Sequence, residues 1–418
     1  MKRLIGCSAA LCLLAIMVGC GGVSSTGTLA YISNSTGSGF TVYTVNSDGT
    51  LTTSSISPQS TPAAPRVLQF SANGKWAYFL DAAGDNIYAY TRSGNGTFGT
   101  FINNYSVGGT GASSMVISPN SAFIYVALPN TLGGSLAIFS IDPSTGILTQ
   151  VGSSLQLIYP LTKLIMAPSG SALYALSPGA PVGKQTVLSW TLNSTSGQVQ
   201  GEVTTSVGVN PIDMALSANG SYLYVFDHTA TTTVANVANC SPPGLPSFLN
   251  CTPAGPSPNI YGFSVSGANL TTLGTFNENA DLATGMFPSG PIAGATSNDS
   301  RYLFVANQGS ANISVFAIAT TGLAGGLKEV LGSLTTVNGI PASTASPFDC
   351  SAGCKSPSFI TVASANNALY LIDTTPQANK ILQFAINQST GQLRPLNPAS
   401  VGAENATSTP TWITIEKD

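Results

Sequence analysis

The chain has very few charged residues. Lys, Arg, Asp and Glu together make up 7% of its 418 residues, against about 25% in an average soluble protein. The formal net charge is −3. Binding to nucleic acid needs a basic surface, so this composition excludes a nucleic-acid partner.

The sequence also lacks the common catalytic and metal-binding motifs. There is no G-x-S-x-G nucleophile elbow, no P-loop and no H-E-x-x-H zinc motif. Histidine occurs once, as His228. We therefore expect neither a metal ion nor a cofactor.

Long apolar runs are absent after the N-terminus. Lys2 and Arg3 precede an apolar segment from Leu4 to Val18, which is too short to span a bilayer. It ends in MVGC at Cys20, which resembles the lipobox of bacterial lipoproteins. We expect a signal peptide over residues 1–19, lipidation of Cys20 and a flexible tether over residues 20–27. The alternative is an ordinary secretory signal that is cleaved nearby.

The expected anchor places the protein in the cell envelope, attached to a membrane by lipid. Gly21 follows the cysteine where an inner-membrane retention signal would have Asp, which favours the outer membrane or the periplasmic face. Four cysteines lie beyond this leader, and an even number in an exported chain indicates disulfides. Three pairings are possible, and the local one joins Cys240 to Cys251 and Cys350 to Cys354. A zinc site is the alternative, and the absence of nearby histidines argues against it.

An apolar run with a central aromatic residue recurs along the chain. Neighbouring copies are 47 to 50 residues apart over the first five, and the last two intervals are 80 and 66 residues. We interpret the longer intervals as insertions at about 229–258 and 335–356. The seven central aromatic residues are Tyr31, Tyr78, Tyr125, Tyr174, Tyr224, Phe304 and Tyr370.

Each copy forms part of a unit with four short β-rich segments. Seven such units predict an all-β fold, a seven-bladed β-propeller over residues 28–418. The N-terminus begins at a second strand, and the C-terminus ends in a first strand, PTWITIEKD from Pro410. We predict that the C-terminal strand completes the N-terminal blade and closes the ring.

The repeat resembles the lactonase family of seven-bladed propellers, which includes 6-phosphogluconolactonase. The resemblance rests on the pattern P-x-x-M-A-x-S-x-N-G-x-Y-L-Y-V over residues 211–225 and covers essentially all of residues 28–418. It implies hydrolysis of a sugar lactone near the central channel. The segment Tyr302–Ser310 also resembles the repeats of surface-layer propellers, which are not enzymes.

Four residues are candidates for the chemistry. Arg66 matches the Pro-Arg entry of the family, and His228 is the only histidine. Lys163 and Asp213 both lie four residues before the turn that follows the first strand, so they could meet as an ion pair. An alternative role is structural, with Arg66 orienting a loop and the pair forming an inter-blade salt bridge. In other blades the position four residues before this turn is occupied by Val67, Ser114, Ala293 and Ile360.

Acids also recur at the ends of second strands, and we interpret Asp81, Asp227 and Asp373 as backbone caps. Two functions remain open. One is a metal-independent lactonase that acts on a sugar lactone. The other is a non-catalytic surface lipoprotein that binds a carbohydrate or a protein partner. In both cases we expect a monomer.

Overall fold

The computed structural model confirms the all-β, seven-bladed propeller. No helix long and apolar enough to cross a membrane occurs in the part of the chain that it describes. That part consists of residues 27–35, 37–130, 133–178, 185–228, 260–276, 290–330, 335–337, 340–342, 348–349, 354–375, 379–402 and 409–416.

The inner strands form a ring around a central channel. Each inner strand contacts the inner strand of the next blade, and the seventh contacts the first. Within a blade, each strand pairs antiparallel with the next. In blade order the inner strands are Pro410–Ile415, Pro65–Phe70, Ser114–Ile117, Lys163–Met166, Pro211–Leu216, Pro291–Thr296 and Pro357–Val362.

The second strands carry the apolar runs that recur in the sequence. Their side chains are almost completely buried, because both faces of these strands pack against neighbouring blades. The central aromatic residue of each run is at most 1% exposed. In blade order the second strands are Leu29–Asn34, Trp76–Asp81, Phe123–Asn130, Ala172–Ser177, Tyr222–Asp227, Tyr302–Asn307 and Ala368–Asp373.

The third strand of each blade enters a polar hairpin turn that contains glycine. The third strands are Gly39–Val45, Asn86–Arg92, Gly133–Ile141, Thr186–Leu192, Ile260–Ser266, Asn312–Ile318 and Lys380–Ile386. The outer strand is split into two in blades 1, 3 and 6. The outer strands are Leu51–Thr53 with Gln59–Ser60, Phe98–Ser106, Leu148–Gln150 with Leu155–Leu157, Val199–Ser206, Asn269–Phe276, Leu327–Glu329 with Phe348–Asp349, and Leu393–Gly402.

The predicted ring closure is confirmed. The last strand, Pro410–Ile415, pairs antiparallel with Leu29–Asn34 and becomes the inner strand of blade 1. Just beyond it, Glu416 forms an ion pair of 2.6 Å with Arg92 of blade 2. The two ends of the chain therefore share one sheet, and this pairing closes the ring.

A row of hydrogen bonds joins neighbouring blades. In six blades the central tyrosine donates its hydroxyl hydrogen bond to the carbonyl oxygen of a glycine in the hairpin turn of the next blade, at 2.5 to 3.0 Å. Blade 6 has Phe304 at this position and lacks the hydroxyl. We call these six contacts the tyrosine ladder; they join Tyr31 to Gly96, Tyr78 to Gly146, Tyr125 to Gly197, Tyr174 to Gly267, Tyr224 to Gly325 and Tyr370 to Gly49.

The first predicted insertion, 229–258, lies outside the described residues, as do the leader, Cys20 and three of the other cysteines, Cys240, Cys251 and Cys350. The pairing of the cysteines therefore stays a prediction. In the second insertion, Thr335–Val337 pairs with Ile340–Ala342 as a short hairpin. Phe348–Asp349 pairs with the third strand of blade 6, so part of this insertion extends that blade.

Candidate functional site

A cavity of about 500 Å3 occupies the end of the channel where the inner strands begin. This size lies within the range of roughly 300–1,000 Å3 that is typical of small-molecule sites. Because all seven inner strands run in the same direction, each blade contributes residues near the start of its inner strand to the cavity wall.

Seven of the lining residues form one ring, which we call the channel ring. Each of them pairs with the residue two positions after the central aromatic residue of its blade. They therefore stand at the same height in the channel, one per blade. In blade order the channel ring is Trp412, Val67, Ser114, Lys163, Asp213, Ala293 and Phe359.

Lys163 and Asp213 meet in this ring, as the sequence predicts. The Lys163 Nζ atom lies 2.7 Å from Asp213 Oδ1, and the two side chains are 21% and 10% exposed. The backbone N–H of Gly294 in blade 6 donates to Asp213 Oδ2 at 3.2 Å. The carboxylate is thus held from both sides by neighbouring blades, with part of it facing the cavity.

Two aromatic residues of the ring contact each other and the lysine. The Lys163 Nζ atom lies 5.1 Å from the ring centroid of Trp412, which is within the range of a cation–π contact. The Trp412 and Phe359 rings lie 4.6 Å apart with an interplanar angle of 45°. The contact between Lys163 and Trp412 joins the inner strand of blade 4 to the C-terminal strand, which belongs to blade 1 on the far side of the seven-membered ring.

Sequence reasoning missed both aromatic residues. For blade 7 the sequence predicts Ile360, which lies four residues before Ser364. The backbone N–H of Ala363 bonds to Ala368 O, which marks Ala363 as the start of the turn. A count of four residues back from Ala363 gives Phe359, so the expected position of Ile360 in the ring is wrong. Ile360 is 3% exposed and belongs to a core cluster.

Arg66 also lines the cavity, one residue before Val67. The pairing register shifts between Pro65 and Val67, so the arginine is not a member of the channel ring. Its Nη1 atom donates to Ala112 O at 3.2 Å, and no carboxylate of the described residues lies within 4.0 Å. Burial lowers the pKa of the Arg66 guanidinium from its usual value, yet Arg remains charged at neutral pH.

His228 is not among the residues that line the cavity. It follows the second strand of blade 5, and its Nδ1 atom lies 3.0 Å from the carbonyl oxygen of Pro291. The structure therefore does not bring this candidate together with Arg66, Lys163 and Asp213.

The acids at the ends of second strands bind backbone N–H groups, as predicted. Asp81 accepts from Asp85 N, Asp227 from Val209 N, and Asp373 from Ser356 N. These carboxylates cap loops at the same face of the ring. Among the described residues, no three His, Cys, Asp or Glu side chains come together as a metal site would require.

The arrangement can perform two kinds of work. An ionised carboxylate can accept a proton from water, and an adjacent ammonium group can stabilise a developing oxyanion. The same cavity, with two cations and an aromatic pair, can also hold a polar ring without any reaction.

Part of the chain is similar to a known protein family in sequence, and the whole fold is similar to solved structures. Residues 22–110 match the family described as lactonase, 7-bladed beta-propeller. No curated protein sequence matches the chain significantly. Several solved structures share the fold over nearly their whole length.

The periplasmic gluconolactonase PpgL of Pseudomonas aeruginosa superimposes with a TM-score of 0.67 and 16% identity, over 93% of this chain and 98% of that one. A candidate 6-phosphogluconolactonase from Bacteroides uniformis superimposes with a TM-score of 0.67 and 14% identity, over 93% of this chain and 99% of that one. A protein from Lactobacillus plantarum superimposes with a TM-score of 0.64 and 16% identity, over 94% of this chain and 99% of that one. The chain is therefore a seven-bladed β-propeller that is similar to the lactonase family in residues 22–110.

Proposed function

We propose that the protein hydrolyses a sugar lactone in the channel cavity. The observation that carries this proposal is the Lys163–Asp213 ion pair, which lines the cavity with both charged groups partly exposed. Residues 22–110 also match the lactonase family. The resemblance favours this reaction over others that use an acid–base pair.

The proposed reaction uses the two residues in separate roles. Asp213 accepts a proton from a water molecule while the water oxygen attacks the lactone carbonyl carbon. Lys163 stabilises the negative charge that develops on the carbonyl oxygen. The ring C–O bond then breaks, and the proton on Asp213 passes to the leaving alkoxide oxygen. A hydroxy acid is released and Asp213 is again ionised.

Trp412 supports this assignment because it lies against the lysine. A cation held between a carboxylate and an aromatic face loses little freedom when substrate binds. The Gly294 N–H group likewise fixes the carboxylate. Both partners are therefore positioned before substrate arrives.

A second candidate function is carbohydrate binding without hydrolysis. The observation that favours it is the Phe359–Trp412 pair in the cavity wall. Aromatic side chains commonly present an apolar face to a ligand in otherwise polar pockets. In this case the Lys163–Asp213 pair would only shape the cavity.

One experiment distinguishes lactone hydrolysis from carbohydrate binding without hydrolysis. The full-length chain, purified in detergent, is mixed with a panel of sugar γ- and δ-lactones at constant pH, and acid release is recorded by pH-stat. Turnover above the buffer rate on at least one lactone supports the hydrolase. Binding of sugars by calorimetry with no turnover on the whole panel supports the second function and rejects the first.

We also propose that the protein is exported and anchored by lipid at Cys20. The support is the sequence MVGC after a short apolar segment. Growth with a radiolabelled fatty acid should label the wild-type chain but not the Cys20→Ser variant. Label on both would reject lipidation at this residue.

A further inference from the structure

The charges in the cavity do not balance. Of the described residues that line it, three are charged: Arg66, Lys163 and Asp213. Lys163 and Asp213 neutralise each other at 2.7 Å. Arg66 has no such partner among the described residues, so the described lining of the cavity has a net charge of +1.

The unpaired charge is notable because the chain has so few cations. Its 13 Lys and Arg residues are outnumbered by 16 Asp and Glu residues. Arg92, an arginine with a largely buried side chain, has its guanidinium neutralised by Glu416. An unpaired guanidinium in a partly desolvated wall is costly, and a bound anion removes that cost.

The donors of Arg66 fit one kind of anion. Only its Nη1 atom has a protein acceptor among the described residues, the Ala112 carbonyl oxygen at 3.2 Å. Most of its five N–H donors therefore remain for a ligand. A guanidinium presents these donors in a planar fork that matches a carboxylate in two parallel hydrogen bonds.

The size of the charge decides between carboxylate and phosphate. One carboxylate brings the cavity to neutrality, whereas a phosphate monoester carries about −1.5 to −2 at pH 7. A dianion would leave an excess negative charge beside Asp213 in a partly buried space. The cavity of about 500 Å3 has room for a sugar-sized molecule in addition to this group.

We propose that Arg66 is the binding site for the carboxylate of a sugar acid, so that the preferred ligand carries one negative charge at a position away from the reacting carbonyl. This assignment rests on the proposed function for the location of the reacting group. The class it names as substrate is the monolactone of an aldaric acid, in which C1 forms the lactone and the carboxylate at C6 stays free to bind Arg66.

Three sugars that share one ring test the assignment. D-glucose, D-glucuronate and D-glucose 6-phosphate differ only in the group at C6, which is neutral, singly charged or doubly charged. Their affinities for the full-length protein are measured by calorimetry at pH 7 and low ionic strength. Glucuronate should bind at least tenfold more tightly than glucose and more tightly than glucose 6-phosphate.

Substitution then assigns the preference to Arg66. Arg66→Gln should reduce the glucuronate-to-glucose ratio to about one, whereas Arg394→Gln, at an exposed arginine of blade 7, should leave it unchanged. Equal binding of glucose and glucuronate, tighter binding of the phosphate, or a preference that survives Arg66→Gln would overturn the proposal.

The carboxylate site and the proposed hydrolysis can fail independently of each other. If glucuronate binds through Arg66 but no lactone is hydrolysed, the proposed hydrolysis fails and the carboxylate site stands. If neutral lactones and an aldaric-acid monolactone with a free carboxylate are hydrolysed with equal kcat/KM, and Arg66→Gln changes neither value, the hydrolysis stands and the carboxylate site fails.

Discussion

The hydroxyl group of Tyr125 in blade 3 donates a hydrogen bond to the carbonyl oxygen of Gly197 in blade 4, at 2.8 Å. The tyrosine is 1% exposed, and the glycine forms part of the hairpin turn after the third strand. This contact is one step of the tyrosine ladder, which fixes the spacing of neighbouring blades. The channel ring depends on that spacing, because its seven members come from seven blades.

The ladder makes a measurable contribution to stability. Tyr125→Phe removes the donor and leaves a carbonyl oxygen without its partner, so the free energy of unfolding should fall by about 1–2 kcal/mol. Urea denaturation followed by circular dichroism measures the change. Tyr88→Phe is the control, since no acceptor for the Tyr88 hydroxyl occurs among the described residues. Equal effects of both substitutions would contradict the role of the ladder.

Alkaline pH should weaken the fold through the same tyrosines. Burial raises the pKa of Tyr125 and of Tyr174 to about 12, against about 10 in an unfolded chain. The folded state therefore holds these protons more tightly. Their contribution to stability is complete below pH 10 and is lost as the pH rises from 10 towards 12.

Absorbance at 295 nm follows this ionisation directly. In the folded protein the six ladder tyrosines should stay protonated at pH 11, so the absorbance should reach the value for all 14 tyrosines of the chain only at higher pH or after unfolding. Tyr125→Phe should remove one late-titrating group. Ionisation of every tyrosine near pH 10, with the circular dichroism spectrum unchanged, would show that the ladder is open to solvent.

Ring closure should be essential for folding. A chain that ends at Thr409 lacks the inner strand of blade 1, including the buried Ile413 and the Trp412 side chain, and exposes the edge of Leu29–Asn34. We expect it to aggregate or to show no cooperative thermal transition. A chain that ends at Glu416 keeps every described residue and is the control. An unchanged melting temperature after the longer truncation would refute closure by the C-terminal strand.

The two side chains of the channel ion pair should have a larger coupling free energy than the two side chains of a surface ion pair. Lys163–Asp213 and Arg301–Asp299 have the same 2.7 Å separation, but the surface pair is more exposed, at 49% and 32%. A double-mutant cycle with Lys163→Met and Asp213→Asn should give a coupling energy of about 1–3 kcal/mol. The matching cycle at the surface should give about 0.2–1 kcal/mol. Equal coupling energies would contradict the partial burial of the channel pair.

Most of the fold follows from the sequence because the repeat encodes it. The second strands are buried on both faces, so each copy must carry an apolar run, and seven copies fix the number of blades. The closure by Pro410–Ile415 follows from a strand that is missing at one end and surplus at the other. The bond from Tyr125 to Gly197 could not be predicted, since it joins residues 72 positions apart.

The site was predicted only in part, for a physical reason. Channel residues carry no constraint from the blade core, so their identity varies from blade to blade and no repeat marks them. Lys163 and Asp213 are predictable because both are charged and both lie four residues before the turn that follows the first strand. Phe359 and Trp412 look like core residues in sequence, and only the pairing of the strands places them in the channel.

The central claim is that the Lys163–Asp213 pair forms the reactive part of the cavity. The most direct test compares kcat/KM for lactone hydrolysis in Asp213→Asn and in Asp299→Asn, with unfolding measured on both variants. We predict a loss of at least 100-fold for Asp213→Asn, of the order that removal of a general base produces, and no loss for Asp299→Asn. Unchanged hydrolysis in a folded Asp213→Asn variant would contradict the account.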